Sequence, residues 1–323
     1  MGEIMSVEMD ERKEFLFYYE VRQSNPNGDP GFENQPRLMP DGTILVTDVR
    51  VKRTIRDYAK TTYGKTLFVD VGKGGKPVTA DVRAQEIVGN LKNAHELLSK
   101  TFDGVLFGVL VPIRKGRGEK EEGEREEVAF KATGPVQFGL GRSVNQVEII
   151  DPTIFSRFVG REKSGRKQQF GTFGKFYSVE YALIKIPGVI NPMNLNEFKE
   201  NKRIMENFKR SEELLLPCLW DGTNALVTRS KYPQRSILYL EVTYNGVLYN
   251  DLPLLVKESE TMRGKATSLD PNGFDFTEFK NALEKRKEKI KRVRVKVVNE
   301  LAHIASELQS FCKKHGIKFE VVP

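Results

Sequence analysis

Phe15-Leu16-Phe17-Tyr18-Tyr19-Glu20-Val21 is the stretch from which the fold is read. It is aromatic and β-branched, so it predicts a buried first strand. Turn formers stop it at Asn25-Pro26-Asn27-Gly28-Asp29-Pro30. A polar loop follows, and then Thr47-Asp48 can cap a helix running to about Thr62.

Further along, Gly72–Pro77 predicts a loop, Arg83–Lys100 a helix and Gly104–Val111 a strand. Arg114–Glu127 is nearly all charge and glycine and predicts a loop. Val136–Ile150 and Phe176–Ile186 predict strands, separated by the long basic segment Asp151–Lys175. Ser211–Leu219 predicts a short helix and Ile237–Thr243 a strand. From Phe276 to about His315 the chain predicts one helix, with Leu283, Ile290, Val297, Leu301, Ile304 and Leu308 as its apolar stripe. Beneath the insertions runs the order strand, helix, strand, strand, helix, strand, which is a ferredoxin-like, α+β arrangement used by many RNA-binding modules.

Composition narrows the partner. The 323 residues are 39% hydrophobic and 30% charged, enough for a real core and a solvated surface. The net charge is +8, and clustered Lys and Arg suit either a polyanion partner or a merely charge-rich surface. No apolar run is long enough to cross a bilayer, and Met1–Glu14 holds no signal-peptide core. Met1–Ser6 does fit the loose N-myristoylation pattern, which is short enough to match by chance. Cys218 and Cys312 make neither a disulfide framework nor a zinc site, so a reducing cytoplasm is the simplest setting and no membrane partner is expected.

The helix after the first strand carries the clearest signal. At 100° per residue, Val51, Ile55, Tyr58 and Ala59 share the side that packs on the sheet. Lys52, Arg53, Arg56 and Lys60 lie on the flank beside it. That flank reads either as a phosphate track or as a solvated face diluted by Asp48 and Asp57. In Asp151–Lys175, cations including Arg161, Arg166 and Lys167 interleave with Phe155, Phe158, Phe170 and Phe173. Cations pair with phosphates and rings stack on bases, which suits a single strand; the bland alternative is a disordered loop.

Enzyme signatures fail. Gly64-Lys65-Thr66 lacks the leading glycine and the preceding strand of a phosphate-binding loop. His95, His303 and His315 have no spaced ligand or nucleophile partners. No cofactor is expected.

Five stretches resemble one known family. Ser24–Pro30 (SNPNGDP), Gly42–Tyr58 (GTILVTDVRVKRTIRDY), Gly134–Val144 (GPVQFGLGRSV), Gly174–Leu183 (GKFYSVEYAL) and Leu215–Lys231 (LLPCLWDGTNALVTRSK) occur in its order and span about two-thirds of the chain. The resemblance is to the Cas seven family, the crRNA-binding backbone subunit of Cascade in type I CRISPR systems, in its I-B/I-C branch.

That resemblance implies a modified RRM-like fold described as a right hand. Residues 1–63, 101–150 and 176–323 would be the palm, including a C-terminal helix over 276–315. Residues 64–100 would be inserted helical fingers, and 151–175 a long β-hairpin thumb. Copies would line a crRNA guide beside other Cascade subunits, and target DNA would pair with that guide. By motif position, Asn27, Lys52, Arg53 and Arg56 would contact the guide backbone. Gln137, Arg142 and Ser143 would do so at the palm–thumb junction, as would Arg161, Arg166 and Lys167 on the thumb and Arg229 and Lys231 within Thr228–Lys231. The implied role is non-catalytic. Its rival is an endoribonuclease of related type using Asp29 or Asp48, although Asp48 is better read as part of a helix cap.

Overall fold

The structure is a computed structural model and describes residues 9–112, 128–151, 153–155 and 173–323. The myristoylation pattern, the charged loop Arg114–Glu127, and Arg161, Arg166 and Lys167 lie outside the described residues.

The strand read first is β1 (Glu11–Ser24), which leads into helix α1 (Asp48–Tyr63). Further along, past shorter helices and strands over 73–138, come the short β2 (Gly141–Ser143) and the long β3 (Ser178–Ile190). Helices α2 (Lys202–Glu213) and α3 (Leu215–Asn224) lead into β4 (Gln234–Asn245). The chain closes with α4 (Thr277–Arg286), β5 (Ile290–Val297), α5 (Ala302–His315) and β6 (Phe319–Val321).

β1 lies in the middle of a mixed sheet. The strand order is β6-β5-β4-β1-β3-β2, continued by Ile44–Val46, Gln35–Leu38 and Gly28–Asp29. β1 runs antiparallel to both neighbours, with Phe17 opposite Ile186 of β3 and Tyr239 of β4. Only the β5–β6 edge is parallel among the described pairings. A strand, helix, strand, strand, helix, strand path therefore runs through β1, α1, β2, β3, α2–α3 and β4.

The apolar run in β1 is unbroken because helices cover both faces of the sheet. Side chains alternate along a strand, so Phe15, Phe17, Tyr19 and Val21 enter one core. There they meet Ile55 and Ala59 of α1, Phe208 of α2 and Leu219 of α3. Leu16 and Tyr18 enter a second core, with Phe279 and Leu283 of α4 and Ile304 and Leu308 of α5. Leu67, Phe68, Ala84, Leu97 and Leu98, from the stretch expected as fingers, join the first core.

Several expectations need correction. The tail is not one helix, since Ile290–Val297 is strand β5 between α4 and α5. Val293 and Val295 are buried and stand opposite Val242 and Leu240, while the intervening Arg and Lys keep part of their surface in solvent. That is a period of two, which a helical stripe through Ile290 and Val297 had masked. Gly104–Val111 is helical up to Phe107, and only Gly108–Pro112 is strand; Gly108, at φ 94°, is where the chain turns. Arg83–Lys100 breaks at Gly89 into the helix Ala80–Val88 and shorter turns. Val136–Ile150 is three short strands rather than one. The helix foreseen at Ser211–Leu219 is the meeting of α2 and α3.

Gly188 marks the tightest approach in the sheet. It stands opposite Phe15, whose ring lies where a Cβ at position 188 would point. Gly188→Ala should therefore overpack the β1–β3 seam and lower unfolding free energy by about 1–3 kcal/mol. Urea titration checks this, and Phe15→Leu in the same chain should recover part of the loss.

Candidate nucleic-acid interface

Register gathers three of the sequence motifs at one end of the sheet. Ser24, the last residue of β1, stands opposite Val179 at the start of β3, and Val21 stands opposite Gln234 at the start of β4. The Asn25–Asp29 turn, the segment entering β3 and the 225–233 turn therefore meet there.

Polar contacts knit them together. Asn25 donates its backbone N–H to the Ser230 carbonyl at 2.7 Å and its Nδ2 to the Asn34 carbonyl at 2.7 Å. Ser24 Oγ donates to the Pro233 carbonyl at 3.3 Å. Asn27 is buried, and its Oδ1 accepts from both the N–H (2.9 Å) and the Oγ1 (3.0 Å) of Thr47. Thr47 in turn caps α1 by accepting from the Arg50 N–H. Gly28 leaves room for this turn, because a Cβ there would sit 2.8 Å from the Asn34 carbonyl. Lys231 Nζ donates to the Asn25 carbonyl at 2.6 Å.

The basic flank of α1 is a row of ion pairs. Lys52 bonds Asp48 at 2.9 Å, Arg53 bonds Asp57 at 2.8 Å and Lys60 bonds Asp70 at 2.6 Å. Arg56 bonds Asp103 at 2.8 Å, and the Asp103 side chain is only 1% exposed. Asp103 also accepts the Phe68 and Val69 N–H groups at 2.6 and 3.0 Å, so Arg56 ties the 66–70 loop to the helix. Lys52 and Arg56 both lie over the Phe107 ring. Arg53, with a side chain 59% exposed, is the most open of the four.

Three other cations make no hydrogen bond or ion pair to a carboxylate among the described residues. Arg229 is exposed and sits 5.9 Å from the centre of the Phe176 ring. Arg50 is partly buried and donates to Thr54 Oγ1 at 2.5 Å. Its Nε is buried without a partner. Lys231 is partly buried, and burial, with Arg50 nearby, pulls its ammonium down to about 7. Burial likewise pulls Arg50 below its ordinary value. Tyr232 on the 225–233 turn leaves its ring exposed, as does Phe32 in the loop that follows Asp29.

The remaining expected positions sit elsewhere. Gln137 stands opposite Val189, about ten residues along β3 from Val179 and so roughly 33 Å away at 3.3 Å per residue. Its Nε2 donates to the Gly134 carbonyl at 2.9 Å. Arg142 stands opposite Lys185 and pairs with Asp41. Hydrogen bonds from Thr43 and then Arg142 hold the Asp41 carboxyl down to about 2. Ser143 is buried between the Ile44 N–H and the Asn145 carbonyl. These three were expected at the base of the Asp151–Lys175 hairpin, and they are not there. The described ends of that segment lie where Ile149–Ile150 pairs Ser178–Val179 and where Thr153–Phe155 pairs Phe173–Lys175.

Arg50 escaped the sequence reading, although a signal existed. Lys52 has Asp48 at i−4 and Arg53 has Asp57 at i+4, whereas Arg50 has Val46, Thr47, Arg53 and Thr54 at the helix-neighbour spacings. Among the described residues, no group of three or more His, Cys, Asp or Glu could hold a metal ion. Unpaired cations with open aromatic rings suit a phosphate-bearing, unstacked strand.

The family model for CRISPR-associated protein Cas7 matches residues 11–291. A Haloferax volcanii protein described as CRISPR-associated protein Cas7 is 26% identical over 307 residues, covering 88% of this chain and 86% of its own length. A chain from a solved structure described as "CRISPR RNA-guided surveillance complex, pre-nicking" is 12% identical and superposes with a TM-score of 0.50. That match covers 93% of this chain and all of the other, which shows a shared fold.

Ion pairing separates structural cations from available ones. Arg56→Ala strands a buried carboxylate and should cost about 3–5 kcal/mol. Arg53→Ala, which breaks an exposed pair, should cost under about 1 kcal/mol. Chemical denaturation of the two variants checks the contrast; equal costs would show that Asp103 does not depend on Arg56.

Proposed function

The chain belongs to the CRISPR-associated Cas7 family, and from that premise we propose that it is a non-catalytic, crRNA-binding backbone subunit of a type I Cascade complex. The observation that carries the reading is the group of cations that form no carboxylate ion pair among the described residues, Arg50, Arg229 and Lys231, near the sheet end where Ile149–Ile150 pairs Ser178–Val179. Exposed Tyr232 lies on the same turn as Arg229 and Lys231.

In this reading the sheet with its helices is a modified RRM-like palm, the insertion over 64–100 the fingers and the hairpin the thumb. The path β1, α1, β2, β3, α2–α3, β4, with β4-β1-β3-β2 in space, supports a ferredoxin-like palm. Several copies then line one guide, each thumb reaching its neighbour, beside the other Cascade subunits. Guide and target DNA recognise each other by base pairing, so the protein needs to hold only backbone and shape. Cations, stacking rings and backbone groups suffice for that, and no base-reading side chain is required. The I-B/I-C branch belongs to the same reading.

The endoribonuclease rival has little to work with. Asp29 is engaged with Arg37 at 3.3 Å and with the Gly31 N–H, and Asp48 is paired with Lys52. Incubating the pure protein with labelled RNA tests it, since cleavage lost in Asp29→Ala would replace the backbone reading with the enzyme.

Two outcomes test the proposal directly. Arg229→Ala should weaken single-stranded RNA binding by a similar factor whatever the sequence. It should also lower the slope of log K against log salt by about 0.7, one phosphate contact on a single strand. An unchanged affinity and slope would remove this sheet end from the RNA path. Deleting residues 156–172 should leave the fold intact and abolish regular assemblies on RNA seen by negative-stain microscopy; intact filaments would overturn the thumb role.

A further inference from the structure

We propose that the outer edge of β6 is a docking strand for another protein, and that its occupant is an extended segment with one basic residue between two apolar ones. The inference is independent of the RNA-binding reading, since it concerns the last strand of the sheet and not the turn after β1.

The two edges of the sheet are built differently. One ends in the two-residue strand Gly28–Asp29, which lies between Pro26 and Pro30. Proline donates no N–H, so that edge cannot carry a longer ladder. The other edge is β6, which pairs in parallel with β5 on its inner side. The Lys318 carbonyl accepts the Val293 N–H at 2.9 Å, and the Val322 N–H donates to the Val295 carbonyl at 2.8 Å. Backbone groups alternate sides along a strand, so those of Phe319 and Val321 point outward. They meet no further strand among the described residues.

Side chains across this corner form a row of alternating charge. Register sets Glu241 of β4 opposite Arg294 of β5, and Arg294 opposite Glu320 of β6. Glu241 is buried and accepts the Tyr239 hydroxyl at 2.6 Å, which fixes the inner end of the row. The outer end is Glu320, whose side chain is 41% exposed. Arg292 and Arg294 hold it only at 3.3 and 3.6 Å, longer than a close charge-assisted bond, so its carboxylate keeps acceptor positions open. Acid, base, acid runs toward the edge, and the charge that continues the row is a base. The row opens on a cleft of about 550 Å3, lined also by Glu212 and Glu213 of α2, which gives a long basic side chain room to lie over Glu320.

The other face of β6 is apolar. Phe319 packs against the second core, and Val321 is 47% exposed. Residues beside these two in an added strand point to the same face, and an apolar one there covers Val321. The occupant is therefore apolar beside Phe319, basic beside Glu320 and apolar beside Val321. Main-chain bonds supply the pairing, and the alternate side chains choose the partner. A second copy of β6 does not fit, because two-fold pairing about Glu320 sets glutamate against glutamate. A phosphate strand does not fit either, since it brings negative charge to Glu320.

Fluorescence anisotropy of the whole protein with two labelled, end-blocked peptides, STVRVTS and STVEVTS, tests the assignment. The arginine peptide should bind more tightly by about fivefold, the size of one cross-strand charge pair. Glu320→Lys should reverse that preference. Val321→Pro removes an outward N–H that β5 does not use, and it should abolish binding of both peptides while thermal unfolding confirms a folded chain. No binding of either peptide, or binding that survives Val321→Pro, would overturn the edge as a docking strand. A preference that Glu320→Lys leaves unchanged would overturn the charge rule. Displacement of the peptide by a single-stranded oligoadenylate would assign the edge to nucleic acid. Self-association of the RNA-free protein that Val321→Pro abolishes would assign it to a second copy. Either result overturns the proposal.

Discussion

A strand covered on both faces can expose polar chemistry only at its ends, and β1 is such a strand. Its alternate side chains feed two separate cores, so no position between Phe15 and Val21 is open to a ligand. The polar work is displaced outward. At one end, buried Glu14 accepts the backbone N–H groups of Tyr249, Asn250 and Leu252 and pins the loop after β4. At the other, Ser24 and Asn25 join the start of β4 and Asn27 holds the cap of α1. The candidate interface is at this second end because both neighbours of β1, β3 and β4, also begin there.

Charge on the helix beside it has to be counted after pairing rather than before. Of the five cations in α1, four meet Asp48, Asp57, Asp70 or Asp103, and Arg50 meets none among the described residues. The net charge of +8 is thus a poor guide to where a polyanion would sit. Exposed pairs such as Arg53–Asp57 are weak and can exchange partners with a phosphate. The Arg56–Asp103 pair cannot do so cheaply, because Asp103 is buried and anchors two backbone N–H groups as well.

What the sequence revealed and what it hid follow the range of the interactions involved. The continuous apolar run of β1, the Thr47 cap and the packing face of α1 are set within a few residues, and each was legible. The partner of Arg56 lies 47 positions away, so its commitment was invisible. Ile290–Val297 is basic and β-branched, and its apolar spacing satisfies a helical stripe until the pairing with β4 selects the period of two. Gln137 was misplaced for a similar reason: the motif containing it is contiguous, but β3 is long enough to carry its pairing to the far end of the sheet. At the site itself, Asn27, Arg229 and Lys231 were named from motif position. Arg50 was not, because an absent partner is harder to notice than a present charge.

That absence is the informative feature. A protein selected only for stability would give Arg50 a carboxylate partner, as it gives the other four cations of α1. Leaving the position empty makes sense if the missing charge arrives with a ligand that binds the folded state alone, because such a ligand returns the cost through linkage. Burial, and then Arg50, pull the Lys231 ammonium down to about 7, and its Nζ bonds the Asn25 carbonyl. The same carbonyl belongs to the turn whose Asn27 holds the α1 cap, so a phosphate at this point would tighten the segments that present it. Binding and local order are then coupled through the turn after β1, whose position the buried strand already dictates.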